Sequence, residues 1–278
     1  MKLGSDDTRK FPHWETPDGS ILLVCGDSLE ILPTLEAGSV DFVITDPPWI
    51  SRRSSITRRS GGVASTIDPS LGMAYGSIGE FSAKAISLAF GVCRHDMMVI
   101  CGYREIGQVI AALEPIRGIF IWHKPNGGIS VIYPSPLDVA YIVWSAHTSK
   151  ITGFQHWKSQ VMSHSVPTAG CISNGERLLE RPRGKAAHPA QGPISLYMQL
   201  MTPMRGSILD PYMGTGTSGV AAIRHGLPFI GIERDQRYFD MATRRIQGEL
   251  EKVKADLFKD VAPAKEAKIT QEYIDFES

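Results

Sequence analysis

Short apolar runs recur along the chain at residues 21–25 (ILLVC), 40–45 (VDFVIT), 97–101 (MMVIC), 118–123 (GIFIWH), 139–144 (VAYIVW), 207–210 (SILD) and 228–233 (PFIGIE). Between several of them lie longer helix-like stretches, at 80–92, 104–113, 190–202, 217–225 and 235–253. Runs this short suit buried strands, and strands that alternate with helices fold as βαβ units around a mainly parallel sheet. The alternation predicts an α/β, doubly wound domain built on a seven-stranded sheet. Runs 118–123 and 139–144 have no helix-like stretch between them. They read as an antiparallel hairpin at one sheet edge.

Two segments break the alternation. Residues 50–79 are rich in Ser, Gly and Arg, and residues 147–187 are polar and irregular. Loops that long within a compact domain are usually functional, and the second reads as a small insert that carries specificity. The tail, 254–278, mixes charged and apolar residues as a surface helix or a contact for a partner would.

Composition narrows the class. The chain has 278 residues, 42% hydrophobic and 21% charged, which suits a globular protein with a sizeable core. No apolar run approaches the roughly 18 residues that span a membrane, and the polar N-terminus does not read as a secretory signal. Cys25, Cys93, Cys101 and Cys171 lack metal-ligand spacing. Cys25 and Cys101 sit in apolar runs and read as buried thiols, which implies a cytoplasmic location. The formal net charge is zero, which neither favours nor excludes a nucleic-acid ligand. Local clusters matter more. Arg52, Arg53, Arg58 and Arg59 form one, and Arg177, Arg181, Arg183 and Lys185 another. A solvated loop explains either cluster equally well.

Two motifs carry chemistry. "TDPPW" (45–49) ends the second apolar run with an acid, two prolines and an indole. Alone, it reads as a rigid turn closing a strand. "SILDPYMGTGTSGVAAIRHGLPFIGIE" (207–233) reads as strand, glycine loop, helix, strand and terminal acid. Gly214 and Gly216 suit tight turns and close backbone approach to a ligand. Thr217 and Ser218 suit helix caps, and Glu233 is placed to hold ribose hydroxyls at a strand tip. The spacing of Gly214, Gly216 and Gly219 also fits a dinucleotide fold. Asp210 precedes the loop, however, and would repel a pyrophosphate, and no P-loop lysine follows. An acid there suits a ligand with a cationic amino group and a sulfonium.

With both motifs in hand, residues 20–250 resemble the amino-group DNA methyltransferases that use S-adenosyl-L-methionine. "DPYMGTGTSGVAA" resembles their cofactor loop, and "TDPPW" their catalytic tetrapeptide. The order of catalytic motif, variable insert and cofactor loop is that of the beta class. The resemblance divides the chain into a catalytic half (20–146), a target-recognition insert (147–187), a cofactor-binding half (188–253) and the tail. It implies cofactor contacts from Asp27, Asp46, Pro47, His188, Gln191, Asp210, Tyr212, Gly214, Gly216, Thr217, Glu233 and Arg234. It also implies DNA as partner, no membrane, no metal, and a homodimer, since beta-class relatives are often dimers. The chain departs from the family at Gly192, where a lysine commonly follows the glutamine of the "HPAQ" segment.

The chemistry explains the residue types. An exocyclic amine of adenine is a poor nucleophile because its lone pair is delocalised into the ring. Acceptors on both N–H groups draw the lone pair back to nitrogen. Asp46 offers a carboxylate and Pro47 a carbonyl, held rigidly by the Pro47–Pro48 backbone. Trp49 offers a flat face for the base. Such acceptors favour the transition state over the ground state, and Asp46 can take the leaving proton. A base inside a duplex must be flipped out, at a cost of a few kcal/mol. Arg52, Arg53, Arg58 and Arg59 are placed to bind the flanking phosphates, and Trp157 to contact the base or its neighbours. Tyr103 is a further candidate for the base pocket. The leading expectation is adenine-N6 methylation of DNA by a stand-alone enzyme of bacterial or phage type. The acid at 46 favours adenine, since relatives acting on cytosine N4 more often carry serine there. Cytosine-N4 methylation, RNA adenine methylation, an inactive binding module and a nucleotide-binding oxidoreductase are the alternatives.

Overall fold

The computed structural model describes residues 3–48, 78–102, 105–125, 139–151, 159–165 and 191–259. Nine strands among them form one sheet: β1 (His13–Glu15), β2 (Ile21–Cys25), β3 (Val40–Thr45), β4 (Cys93–Cys101), β5 (Ile116–His123), β6 (Val139–Ala146), β7 (Val161–Ser163), β8 (Ile208–Asp210) and β9 (Phe229–Glu233). Their order across the sheet is β1-β2-β9-β8-β3-β4-β6-β5-β7. The central run β2-β9-β8-β3-β4 is parallel. Strands β6 and β5 turn antiparallel beyond it, as the absence of a helix between their runs predicts.

All seven predicted strands are present, and two more are added. Each addition is three residues long and lies at a sheet edge. A three-residue edge strand has too short a pattern to stand out in sequence. Strand β7 also moves the predicted hairpin inward, because it pairs parallel to the outer side of β5. Part of the polar 147–187 segment is therefore built into the sheet.

The helices are α1 (Ser28–Ile31), α2 (Ile78–Val92), α3 (Ile106–Ala112), α4 (Ile194–Met201), α5 (Thr217–Arg224) and α6 (Gln236–Lys259). They cover both faces. Leu22, Val24, Val43 and Val99 face Ile31, Ile86, Ala89 and Val109 from the first three helices. Leu23, Ile44, Met98 and Ile208 face Leu200, Val220, Ala221, Phe239 and Ile246 from the last three. Burial on both faces explains why the central strands carry apolar stretches without alternation, interrupted near their starts by Asp41 in β3 and by Arg94, His95 and Asp96 in β4. Helix α4 starts later than its pattern predicts, because Pro193 is extended (ψ 137°) and ends the non-helical entry. Helix α6 continues past residue 253 to Lys259. The three described cysteines, Cys25, Cys93 and Cys101, are free and buried. No helix among the described residues is long and apolar enough to cross a membrane.

Candidate active site

Parallel strands deliver their carboxyl ends to one edge, and here four adjacent ends carry the polar residues singled out by sequence. In spatial order they are Asp27 after β2, Glu233 ending β9, Asp210 ending β8, and Asp46 after β3. Strands β3 and β8 are direct neighbours, with Phe42 opposite Ile208 and Val43 opposite Leu209. The two motifs therefore meet side by side, although the sequence keeps them far apart.

Thr45 and Asp210 join them. Thr45 Oγ1 donates to Asp210 Oδ1 at 2.9 Å, from a wholly buried position. Ser218 Oγ donates to the other carboxylate oxygen at 2.6 Å, and the Tyr212 N–H to Oδ1 at 3.0 Å. Burial pushes the Asp210 carboxyl up to about 6, although all three donors favour its charged form. Asp210 thus ties the catalytic turn, the glycine loop and α5 together. It does so from 2% exposure, as a strut inside the site wall.

The glycine loop has the geometry its sequence demands. Gly214 (φ 53°) and Gly216 (φ 80°) occupy the left-handed region. Gly219 serves differently: a Cβ there would lie 2.5 Å from Ile246 Cδ1 and 2.9 Å from Phe229 Cε1. Helix α5 can lie against β9 and α6 only because that carbon is missing. Thr217 and Ser218 do not cap α5, in contrast to the expectation. The N-cap is Gly216 itself, without a side-chain bond. Its left-handed turn sends the next two side chains back into the protein, Ser218 to Asp210 and Thr217 to Arg245.

Glu233 lies beside this loop. Its carboxylate accepts the Asp235 N–H at 2.8 Å, and the N–H groups of Gly214 and Arg234 also favour its charge. Burial nonetheless raises its carboxyl to about 7. The Gly26 N–H donates to the Glu233 carbonyl at 3.0 Å, which brings the β2 tip alongside. There Asp27 Oδ1 caps α1 through the Leu29 N–H at 2.9 Å, and Ser28 Oγ donates to the Pro211 carbonyl. The Asp27 charge reaches Tyr212, whose buried hydroxyl has no hydrogen-bond partner among the described residues.

On the catalytic turn, Asp46 is half-buried, Pro47 buried and Pro48 exposed. The Tyr197 phenol of α4 is raised well above its usual value by burial, with the charges of Asp46 and Asp210 adding to the effect. Gln191 is buried at the entry to α4, and Arg234 is exposed. Trp49, Arg52, Arg53, Arg58, Arg59, Tyr103, Trp157 and His188 lie outside the described residues.

Sequence reasoning did not single out Thr45 as a strut, or Tyr197 or Arg245 at all. Arg245 was findable in principle: it flanks the apolar stripe of Phe239, Ala242 and Ile246 on α6, where a charged side chain needs a partner.

A family model described as DNA methylase, covering the N6 and N4 amino-methyltransferases, matches residues 40–244, from the start of β3 into α6. The chain belongs to the DNA methylase family. The family's methyl donor is S-adenosyl-L-methionine. The type II methyltransferase M.HinfI of Haemophilus influenzae is 28% identical over 245 residues, covering 80% of this chain and 67% of that protein. The type II methyltransferase M2.MboI of Moraxella bovis is 25% identical over 258 residues, covering 84% and 90%. Among solved structures, the complex of M1.HpyAVI with S-adenosylmethionine matches with a TM-score of 0.55 at 22% identity, over 81% of this chain and 98% of that one. The cytosine-N4-specific PvuII DNA methyltransferase matches with a TM-score of 0.57 at 17% identity, over 84% and 92%. These two likenesses establish the DNA methylase fold.

Proposed function

We propose that this DNA methyltransferase transfers a methyl group from S-adenosyl-L-methionine to the N6 amino group of adenine in DNA. The reading is carried by the Thr45–Asp210 hydrogen bond at 2.9 Å, which fastens the acidic catalytic turn to the strand that launches the glycine loop. A base-gripping acid and a cofactor loop fixed to one another supply the alignment that an in-line methyl transfer needs.

The residues suit the cofactor. When bound, S-adenosyl-L-methionine supplies an electrophilic sulfonium methyl. Glu233 accepts from ribose hydroxyls, and Asp27 and the unpartnered Tyr212 hydroxyl border the adenine side. Gly214 and Gly216 admit the methionyl end against bare backbone. Gln191 and Thr217 add polar contacts, with the exposed Arg234, and the resemblance assigns a further one to His188. On the substrate side, the Asp46 carboxylate and the Pro47 carbonyl accept the two N–H groups of a flipped adenine. They localise the lone pair on nitrogen and oppose the positive charge that develops there. Asp46 then takes the proton. Residues 20–146 act as the catalytic half, 188–253 as the cofactor half and 147–187 as the target-recognition insert. The arginines at 52, 53, 58 and 59 hold phosphates around the extruded base.

Adenine is favoured over cytosine by the acid at position 46. The test is incubation with methyl-labelled S-adenosyl-L-methionine and duplex DNA, digestion, and identification of the labelled nucleoside. N6-methyladenosine of the deoxy series supports the reading. N4-methylcytosine moves the substrate to the other base of the family, and label in RNA alone overturns DNA as the substrate.

A further inference from the structure

Helix α6 runs beneath the glycine loop, and one of its side chains reaches into it. Arg245 Nη1 donates to the Thr215 carbonyl at 3.2 Å and to Thr217 Oγ1 at 3.0 Å. The approach depends on absent side chains. A Cβ at Gly216 would lie 3.1 Å from Ala242 Cβ and 3.2 Å from Ile246 Cδ1, the two residues that flank Arg245 on the apolar side of α6.

The bond to Thr217 fixes a direction. A guanidinium carries only donors, so the threonine oxygen must be the acceptor. The hydroxyl proton of Thr217 is therefore turned away from Arg245. Thr217 is 6% exposed, and no acceptor for that proton is recorded among the described residues. The acids around the loop (Asp46, Asp210 and Glu233) are acceptors when ionised and cannot bind an anionic group. The methionyl end of the methyl donor carries one carboxylate, which needs a donor.

We propose that Arg245 is a positioning residue for the methyl donor. By occupying the Thr217 oxygen, it presents the Thr217 hydroxyl proton to the carboxylate of the donor's methionyl group, and its own charge lies behind that contact. This rests on the reading of Gly214 to Thr217 as the cofactor loop.

The experiment is calorimetric binding by the full chain, without DNA, of two ligands: S-adenosyl-L-methionine and its decarboxylated analogue. The variants are Arg245→Met, Arg245→Lys, Thr217→Val, Thr217→Ser, and Arg245→Met with Thr217→Val. Arg245→Met and Thr217→Val each weaken the carboxylated ligand about tenfold, as loss of one charge-assisted hydrogen bond does. Both leave the decarboxylated analogue within about twofold of the wild type on the same reasoning. The double variant is no weaker than the weaker single, because both changes remove one contact. Arg245→Lys and Thr217→Ser keep a donor at each place and retain most of the affinity. Equal losses for both ligands, or additive losses in the double variant, overturn the proposal. Should Arg245→Met not fold, the Thr217→Val and Thr217→Ser pair decides alone, and equal loss in the two overturns it. A wild-type chain that binds neither ligand overturns the cofactor-loop reading as well, which separates that failure from this one.

Discussion

The hydroxyl of Thr45 ends β3 just after the buried apolar side chains of Phe42, Val43 and Ile44 and points sideways, to Asp210. Its loss leaves a buried carboxylate with two donors in place of three. Thr45→Val should therefore lower the unfolding free energy by about 1–3 kcal/mol, the cost of an unsatisfied buried partner, as read by urea denaturation. An unchanged midpoint would show that the bond holds nothing. Glu233 offers a second residue-scale test. Its carboxyl stands at about 7 in the free protein, and ribose hydroxyls would bond best to the charged form. Affinity for S-adenosyl-L-methionine should then fall as the pH drops from 8 through 7, and Glu233→Gln should flatten that dependence. Calorimetry across this range checks it, and an affinity that rises on acidification would contradict it. Gly192 is a third position with a visible constraint. A Cβ there would lie 3.1 Å from Tyr197 Cε2, so this chain carries a buried aromatic ring where a side chain at 192 would otherwise need room.

At the scale of elements, α5 is held between β9 and α6 with no spare volume at Gly219. Gly219→Ala should cost about 1–3 kcal/mol by overpacking and also weaken cofactor binding, because the displaced helix carries Ser218 and Thr217 with it. A thermal midpoint equal to wild type would contradict this packing. The legibility of the elements followed the same physics. Strands β2, β3, β4, β8 and β9 were plain in sequence because burial on both faces gives each an apolar stretch, although the first half of β4, with Arg94, His95 and Asp96, lies ahead of the apolar run at 97–101 that marked it. Strands β1 and β7 were not, being three residues long and at the edges. Helix α1, four residues long, has no room for a periodic pattern. The glycine loop was legible because left-handed turns at Gly214 and Gly216 require that residue. The struts were hidden because they are pairwise contacts across long separations: Thr45 to Asp210 spans 165 positions, and Arg245 to Thr217 spans 28. No local pattern encodes such pairs, so Thr217 and Ser218 read as helix caps when both serve tertiary bonds.

For the whole molecule, the site sets a pH dependence of stability. Asp210 and Glu233 ionise at about 6 and about 7 in the folded chain, against ordinary values of 3.8 and 4.5. Between those limits the folded state binds more protons than the unfolded state, so stability contributed by these groups is present at low pH and lost as pH rises. The unfolding free energy of the free protein should fall between about pH 4 and pH 7, by on the order of 3 kcal/mol per group, and the Glu233→Gln variant should fall less steeply. A stability that climbs across that window would contradict the burial of both carboxylates. The sheet order explains why such strain collects here: four parallel strand ends bring Asp27, Glu233, Asp210 and Asp46 to one edge. That edge is where open α/β sheets bind ligands. The account stands most directly on Asp46. Replaced by alanine, it should lower single-turnover methyl transfer to DNA, measured at saturating S-adenosyl-L-methionine, by at least about a thousandfold. Near-normal transfer by Asp46→Ala would contradict the account at its centre.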